Sequence, residues 1–483
     1  MPDIVLSTLN AKYSHPAFGL RYLLANLGPL RNHAILLEFD IKRNPVEVVS
    51  AIVAQKPKIV GLGVYIWNVT VLTQVVVELK HAHPEITMVL GGPEVSFEAD
   101  LPGLCGSADY VVAGEADFAF RELCRKILTG DRPSAKIIHA RPADVDRLIL
   151  PYELYDEKDI AQRMTYVESS RGCPFECEYC ISSRDAPVRY FPLPRLFGEF
   201  QSLLERGARH FKFMDRTFNV NIDHAVQVME FFLARMRPGL FLHFEMMPDR
   251  FPDKLRSVIA RFPAGTLHFE IGIQTYNEEA AQRIKRRQKM AVIDDNLRFL
   301  RNETGALIHA DLIAGLPGET LESFAAGFDR LVALKPHELQ LGILKRLRGA
   351  PITRHDGEWG MVYAADPPYE ILENKLIDRE SMDRIKRFAR YWELIANRGN
   401  FEETLSRIIG DNPFRNFMKL SDWLFGKTGR DFGIALRDLV ELLFTYLTME
   451  RKLDRQTVAQ AILRDYQRKK RREAPSFLKK QED

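Results

Sequence analysis

Short apolar runs alternate with amphipathic segments through the first 130 residues of the chain. The runs read IVLST, AILLEFD, IVGLGVYI, TMVLGG and YVVAGE, and each is followed by a segment of helix length. Continuous apolar runs of strand length are typical of parallel strands that are buried on both faces. The pattern therefore predicts an α/β fold with a doubly wound parallel sheet over residues 1–130.

A similar alternation returns after a break. Residues 131–163 have prolines at 133, 142 and 151 and no sustained periodicity, which indicates a linker. From 164 to 350 six further apolar runs follow, namely MTYVESS, HFKFMD, LFLHFEM, TLHFEIGIQ, LIHADLIA and ELQLGIL. Six strand and helix units predict a partial (βα)6 barrel, whose chemistry would lie at the carboxyl ends of the strands.

The pattern turns helical toward the end of the chain. Over residues 365–470 apolar side chains recur with the spacing i, i+3, i+4 and i+7, as at Leu436, Leu439, Val440 and Leu443. This spacing predicts a small all-α domain. Residues 471–483 form a basic tail, which we interpret as a solvated, frayed helix end.

Composition and charge exclude some classes of protein. Of 483 residues, 46% are hydrophobic and 28% are charged, with a net charge of +3, so no general attraction to nucleic acid or membrane is expected. The longest apolar helical stretch, 432–449, is interrupted by Arg437, Asp438 and Glu441 and cannot span a bilayer. We expect a cytoplasmic protein with reduced thiols.

Three of the five cysteines lie within eight residues. Cys173, Cys177 and Cys180 have the spacing C-x3-C-x2-C, whereas Cys105 and Cys124 lie far upstream. A structural zinc site needs four ligands, commonly from two pairs, and no fourth ligand is in evidence. A [4Fe-4S] cube has four irons, so three thiolates leave one iron open. The loop therefore predicts a three-thiolate iron–sulfur site.

The cysteine spacing, within the run SSRGCP, resembles the signature of the radical S-adenosylmethionine (SAM) enzymes. The resemblance implies a [4Fe-4S] cluster whose open iron binds SAM. Carried over to the strand ends of the barrel, it implies SAM contacts from Tyr179, Met214, Asp215, Glu245, Gln274, Gly315 and Leu344. A plain salt bridge remains the alternative for each carboxylate, as core packing does for Tyr179.

The strand ends of the first region carry glycines and polar residues, which let a bulky ligand approach the backbone. Tight turns explain Gly91 and Gly92 equally well. The runs VGLGVYIWN, LGGPEVSFE and YVVAGEADFAF, before a cysteine loop, resemble the Rossmann-like cobalamin-binding domain of one radical SAM subfamily. The resemblance implies cobalamin contacts from Tyr65, Trp67, Asn68, Gly91, Gly92, Pro93, Glu94, Gly114 and Glu115.

One departure concerns the lower cobalt ligand. Cobalamin domains of the methionine synthase type carry D-x-H-x-x-G after the first strand, and here the loop reads YSHPAFG from Tyr13 to Gly19. The aspartate is missing and the glycine comes one residue late. We therefore interpret His15 as a loop residue rather than a cobalt ligand.

Together these resemblances imply a cobalamin-dependent radical SAM methyltransferase. It would methylate an unactivated carbon through a 5'-deoxyadenosyl radical and methylcobalamin, and its substrate is either a small molecule or of unknown class. An electron donor of the flavodoxin or ferredoxin type is the expected partner, and membrane or nucleic acid is not expected. Cyclisation or rearrangement with the same cofactors, methylthiolation, and a cobalamin sensor remain the alternatives.

Overall fold

A computed structural model describes residues 1–184 and 187–468, and the basic tail lies outside them. The chain divides into two compact units. The first comprises Met1–His268, Lys345–Thr353 and Ala364–Glu370, and the second comprises the remaining segments. The first unit therefore contains the predicted cobalamin-binding region together with the cysteine loop.

The first unit begins with a six-stranded parallel sheet in the order β2-β1-β3-β4-β5-β6. The strands are β1 (Ile4–Asn10), β2 (Ala34–Asp40), β3 (Ile59–Gly63), β4 (Thr87–Gly91), β5 (Tyr110–Ala113) and β6 (Ile137–His139). The helices are α1 (Phe18–Ala25), α2 (Pro45–Val53), α3 (Val69–Ala82), α4 (Leu104–Ser107), α5 (Asp117–Leu128) and α6 (Glu157–Gln162).

The sheet has an apolar core on each face. Alternate residues of β1 point to opposite faces, so Val5 belongs to the core with α2 and α3, and Leu6 to the core with α1 and α5. The inner strands β1, β3, β4 and β5 are buried on both sides, as their continuous apolar runs predict, whereas the outer strands β2 and β6 are only partly buried. The doubly wound parallel sheet is confirmed.

Residues 131–163 contain more structure than a linker. Strand β6 pairs with β5, placing Ile137 opposite Val111, and the Asn26 side chain accepts a hydrogen bond from Ile149 N at 2.9 Å. A three-residue strand is too short to show a period-2 pattern, which explains why the sequence did not predict it.

The first unit continues into the barrel region. Its elements are β7 (Thr165–Val167), β8 (Ser170–Arg171), β9 (Arg189–Tyr190), α7 (Leu193–Glu205), β10 (His210–Phe213), α8 (Ile222–Leu233), β11 (Phe241–Met246) and α9 (Asp253–Ile259). Strand β10 pairs in parallel with both β7 and β11. The carboxyl ends of these three strands therefore share one edge.

The second unit starts within β12 and contains the later strands. Its elements up to the helical region are β12 (Leu267–Gln274), α10 (Glu278–Arg283), α11 (Met290–Glu303), β13 (Leu307–Ala314), α12 (Leu321–Ala333), β14 (Glu338–Ile343), α13 (Asp356–Trp359), β15 (Val362–Tyr363) and β16 (Ile371–Glu373). Asn277 and Thr320 cap α10 and α12 by accepting from backbone N–H groups, so the strand-to-helix turns are locally fixed.

The region after β16 is helical, as predicted. It contains α14 (Arg379–Trp392), α15 (Glu402–Ile409), α16 (Pro413–Thr428), α17 (Leu436–Thr445) and α18 (Arg455–Gln467). Its core is aromatic, because the Phe388 ring lies 5.0 Å from that of Phe414 and 4.8 Å from that of Phe417. No helix in the part of the chain that the structure describes is both long and apolar enough to cross a membrane.

A single turn of π-helix, Glu393–Asn397, extends α14 toward strand β14. There Asn397 accepts a hydrogen bond from Leu339 N and donates one to Leu339 O, both at 3.1 Å. Strand β14 is the last strand of its sheet. The Asn397 amide therefore pairs with this edge as a further strand residue would.

Candidate functional site

The three cysteines lie in a hairpin loop of the first unit. Strands β8 and β9 pair antiparallel and enclose residues 172–188, which begin with Gly172 at φ +100°. Cys173 and Cys177 are buried, and Cys180 is partly exposed. Cys180 N donates to Cys177 O at 3.0 Å, so the last two cysteines share one tight turn.

The arrangement of the thiols suits a cluster. Among the residues described, no three His, Cys, Asp or Glu side chains are grouped to hold a single metal ion. A [4Fe-4S] cube takes each thiolate at a different iron, so convergence on one point is not needed. Three cysteines on one short loop, two of them buried, therefore fit the predicted cluster.

Asp215 follows β10 and is 1% exposed. Its carboxylate accepts from Ser169 N at 2.8 Å, Ser169 Oγ at 2.7 Å and Ser170 Oγ at 2.6 Å. Burial raises the pKa of Asp215, although these hydrogen bonds oppose the shift. The side chain predicted to contact SAM thus holds the strand that enters the cysteine loop.

The other SAM residues predicted in the first unit lie nearby in the fold. Met214 N donates to Val167 O at 2.7 Å, and Glu245 O accepts from Phe218 N at 2.9 Å, so both backbones are held in the strand ends. Tyr179 is half-buried in the cysteine loop. Their SAM contacts stay predictions.

Three predicted SAM residues belong to the second unit. Gln274 ends β12 at φ +72°, and Thr275 N donates to Ile273 O across it at 2.9 Å. This is a γ-turn with positive φ, a strained conformation for a residue with a side chain. Gly315 and Leu344 lie at the ends of β13 and β14, and Leu344 N donates to Ala314 O at 3.0 Å.

The first unit also contains a cavity of about 340 Å³ between the sheet and helices α1 and α5. Six of the nine predicted cobalamin residues line it: Tyr65, Gly91, Gly92, Pro93, Gly114 and Glu115. The cavity continues past the strand ends to mid-sheet, where Leu6, Gly61, Leu20 and Phe120 line it. The deep end of this cavity is apolar, and the cavity volume suits the base of cobalamin's nucleotide tail better than the whole corrin.

Glycines create the deep end of this cavity. Gly61 and Gly63 are two residues apart on β3, so they face the same side of the sheet. A Cβ on Gly61 would lie 2.9 Å from both Leu6 Cδ2 and the Phe120 ring. At the mouth, Gly92 has φ +110°, and a Cβ there would lie 2.5 Å from Val64 O. Gly61 and Gly63 were not among the predicted contacts, and their period-2 spacing within VGLGV is the sequence signal for this deep end.

Trp67 and Asn68 are not among the lining residues. Asn68 is buried, donating to Thr8 Oγ1 at 3.0 Å and accepting from Tyr65 N at 2.8 Å. Trp67 stacks on the Tyr65 ring at 4.5 Å and donates to Leu9 O at 3.1 Å. Both residues therefore shape the loop that presents Tyr65, which does line the cavity.

Glu94 also lies outside the lining, although it follows Gly92 and Pro93. It is 4% exposed and accepts from Arg348 Nε at 2.9 Å and from the Tyr369 hydroxyl at 2.7 Å. These partners come from 345–353 and 364–370, far along the chain. Glu94 anchors those segments to the cavity loop.

His15 is likewise absent from the lining. Its Nδ1 contacts the Tyr166 hydroxyl, and the two rings lie 5.9 Å apart. The interpretation of His15 as a loop residue rather than a cobalt ligand stays a prediction. Arg171 and Arg216, neither predicted as a cobalamin contact, do line the cavity.

Family models match three regions of the chain. "B12 binding domain" covers residues 4–124, "Radical SAM superfamily" covers 167–331, and "Protein of unknown function (DUF4080)" covers 357–483. The first two models assign the predicted cofactors: cobalamin to the N-terminal region, and SAM with a [4Fe-4S] cluster to the next.

Curated relatives include "Uncharacterized methyltransferase PH0819" of Pyrococcus horikoshii, 26% identical over 51% of this chain and 58% of that protein. "Cobalamin-dependent radical SAM methyltransferase TokK" of Streptomyces tokunonensis is 26% identical over 60% and 47%. "Ribosomal protein uS12 methylthiotransferase RimO" of Trichlorobacter lovleyi is 28% identical over 42% and 51%. The chain spans about half the length of these relatives.

A solved structure of the cobalamin-dependent SAM radical enzyme OxsB matches 97% of this chain and 79% of its own, with a TM-score of 0.64. At 13% identity this likeness concerns the fold, and it extends through the helical region. The predicted fold class is confirmed. The chain thus combines a B12-binding domain, a region that matches the radical SAM superfamily and a C-terminal DUF4080 domain.

Proposed function

We propose that this enzyme is a cobalamin-dependent methyltransferase that acts on an unactivated carbon of a small molecule. One observation carries the proposal: the glycine-lined cavity and the three-cysteine hairpin belong to one compact unit, and Arg171 lines the cavity two residues before Cys173. The names of PH0819 and TokK, both methyltransferases, support the same reaction class.

The chain's own residues have defined tasks in this proposal. Cys173, Cys177 and Cys180 hold three irons of the cluster. Gly61 and Phe120 would hold the nucleotide tail of cobalamin in the apolar end of the cavity and keep water out of it. When bound, the reduced cluster supplies the electron that cleaves SAM, and cobalamin supplies the methyl group.

The hydrogen bonds of Asp215 change the role that we propose for this one residue. We retain Tyr179, Met214, Glu245, Gln274, Gly315 and Leu344 as proposed contacts. We propose a positioning role for Asp215, because three donors already occupy its carboxylate. A flavodoxin or ferredoxin as electron donor and a cytoplasmic location also belong to the proposal.

Product stoichiometry tests the reaction class. The full chain, reconstituted anaerobically with iron, sulfide and cobalamin, would receive methyl-deuterated SAM, a chemical reductant and a metabolite extract. A methyltransferase of this type uses one SAM as methyl donor and one as radical source, so S-adenosylhomocysteine and 5'-deoxyadenosine should form together with a deuterated product. Abundant 5'-deoxyadenosine without the other two would contradict methyl transfer and favour rearrangement.

The two remaining cysteines argue against methylthiolation, which in that family uses a second cluster in the N-terminal domain. Cys105 packs in the core on one face of the first sheet and Cys124 in the core on the other, so they cannot share a cluster. Burial raises the pKa of Cys105 to about 11 and that of Cys124 to about 12, which keeps both as neutral thiols.

A further inference from the structure

The base of the cysteine hairpin carries two arginines opposite each other. Arg171 in β8 pairs with Arg189 in β9, one on each side of the loop that holds the three cysteines. Their side chains are largely buried, with 13% and 19% exposed. Two adjacent buried cations need anionic partners close by.

Those partners come from the cobalamin-binding region. Arg171 Nη1 donates to Asp117 Oδ2 at 2.9 Å and lies 3.5 Å from Glu115 Oε2. Arg189 Nη1 donates to Glu115 Oε2 at 3.0 Å, and its Nη2 contacts the other oxygen of Glu115. Both carboxylates thus bind the hairpin, and both line the cavity.

The two arginines are themselves fixed from several directions. Arg171 Nε donates to Glu168 Oε1 at 2.9 Å, and its guanidinium lies 4.3 Å from the centre of the Tyr22 ring, another lining residue. Arg189 Nη1 also donates to Ala143 O at 2.6 Å. A planar guanidinium that serves several acceptors at fixed angles specifies orientation as well as distance.

The carboxylates of Glu115 and Asp117 are also fixed by the cobalamin-binding region to which they belong. Glu115 Oε2 accepts a hydrogen bond from Ala143 N at 2.9 Å. Burial alone would raise the pKa of Glu115, but the hydrogen bonds from Arg189 and from Ala143 N outweigh burial, so the pKa is lowered. Asp117 is the first residue of α5, which also contributes Phe120 to the cavity wall. A shift of either carboxylate would move the wall.

We infer that Arg171, Arg189, Glu115 and Asp117 form a brace that sets the distance between the iron–sulfur cluster and cobalamin. Arg171 is two residues from Cys173, so at most about 7 Å of chain separates it from the first cluster ligand. On the other side, Glu115 and Asp117 are part of the cobalamin cavity. These four side chains are positioning residues, because they act on the cofactors through the hairpin and the cavity wall.

Pulsed electron paramagnetic resonance tests the brace without measuring turnover. In the full chain loaded with cob(II)alamin and a reduced cluster, dipolar coupling between the two spins reports their separation. Arg171→Lys keeps the charge but cannot serve Glu168 and Asp117 together, so we expect normal iron and cobalamin contents with a distance distribution roughly twice as broad. A distribution equal to that of the wild type would overturn the inference.

Glu115→Gln provides a second variant if Arg171→Lys fails to fold, since it removes one charge and keeps the shape. Asp159→Asn is the control, because Asp159 forms a similarly buried ion pair with Arg21 at 2.6 Å outside the cavity lining. It should leave the distribution unchanged, and broadening in this control would also count against the brace. The inference needs both cofactors but no methyl transfer, so it survives if the reaction proves to be a rearrangement.

Discussion

Some polar side chains at the strand ends differ between the two units in how completely they are hydrogen-bonded and how strained their backbone is. In the first unit, Asp215 and Asn68 have their hydrogen-bonding atoms occupied by neighbouring strands and loops. In the second unit, Gln274 occupies a strained γ-turn. There, Glu319 is 2% exposed and accepts a hydrogen bond from Thr275 Oγ1 at 2.5 Å, and its burial outweighs the hydrogen bonds that it receives.

Side chains whose hydrogen bonds are complete and side chains that are strained or incompletely hydrogen-bonded are expected to behave differently when a ligand binds or the pH changes. A carboxylate with all its acceptors used fixes the backbone around it and has little capacity left for a ligand. A strained or under-satisfied group stores free energy that a ligand, a proton or a substitution can release. Asp215 and Asn68 are therefore expected to make the strand ends that they join rigid, whereas Gln274 and Glu319 are expected to respond to a ligand or to pH.

Asp215→Asn should have the largest effect, because the amide cannot accept hydrogen bonds at both of its positions. Loss of these buried interactions should cost about 4 kcal/mol and loosen the cysteine hairpin. Iron content after reconstitution and the thermal unfolding midpoint should both fall. Asp249→Asn is the matched control, since no hydrogen bond reaches the buried Asp249 Oδ1 from the described residues. If iron content and unfolding midpoint fell equally in the two variants, Asp215 would have no special role in holding the cysteine hairpin.

Gly61→Val comes next, because it fills the deep end of the cavity. Overpacking of about 3 kcal/mol corresponds to roughly a 100-fold weaker binding of cobalamin. Cobinamide, which lacks the nucleotide tail, should be affected much less, and a titration followed by absorbance distinguishes them. Gly106→Val is the control, because a Cβ at Gly106 meets nothing within 4 Å. If both corrinoids weakened equally, the tail would not occupy this slot.

Glu319→Gln removes a buried ionisable carboxyl group from the second unit and should change how stability depends on pH. Burial raises the pKa of Glu319 to about 7, and the Thr275 and Ser323 side chains only partly offset it. Because the folded pKa lies above the unfolded one, this group stabilises the fold below about pH 4.5 and loses that contribution as pH rises through 7. The free energy of unfolding of the wild type should therefore fall by up to about 3 kcal/mol between pH 4.5 and 8 relative to that of the variant.

Urea unfolding of both proteins across this pH range measures the effect. The difference between the two unfolding midpoints should grow in favour of the variant as pH increases. A constant difference would show that Glu319 is ionised at neutral pH and that its environment is more polar than the fold indicates.

Gln274→Gly should have the smallest effect on stability, a gain of at most about 1 kcal/mol, because glycine adopts positive φ without strain. SAM affinity should fall about fivefold if one hydrogen bond is lost with the side chain. Lys335→Gly is the control, since Lys335 also has positive φ, at +54°, and lies on the surface. Unchanged SAM affinity in the Gln274 variant would show that the Gln274 side chain does not contact SAM.

The sequence predicted those features that depend on local spacing. The three cysteines, the strands β1 to β5 and the helical region all follow from periodicity or from residues within one segment. Gly91, Gly92 and Gly114 were found because they end apolar runs, and they do line the cavity.

The sequence could not predict partners that fold together from distant segments. Asp215 is bound by serines 45 and 46 residues away, and Glu94 by Arg348, 254 residues away. Nothing in a local pattern distinguishes a carboxylate that awaits a ligand from one that a distant donor already occupies. The same limit explains why Arg171 and Arg189 stayed unnoticed as partners of Glu115.

The contact between Asn397 and Leu339 has a consequence for the behaviour of the protein in concentrated solution. An uncovered outer strand offers its N–H and C=O groups to any other extended chain, which is a common route to aggregation. The two hydrogen bonds from one amide block this route at Leu339. Asn397 thus occupies the hydrogen-bonding groups of Leu339 at this edge, a task separate from catalysis and cofactor binding.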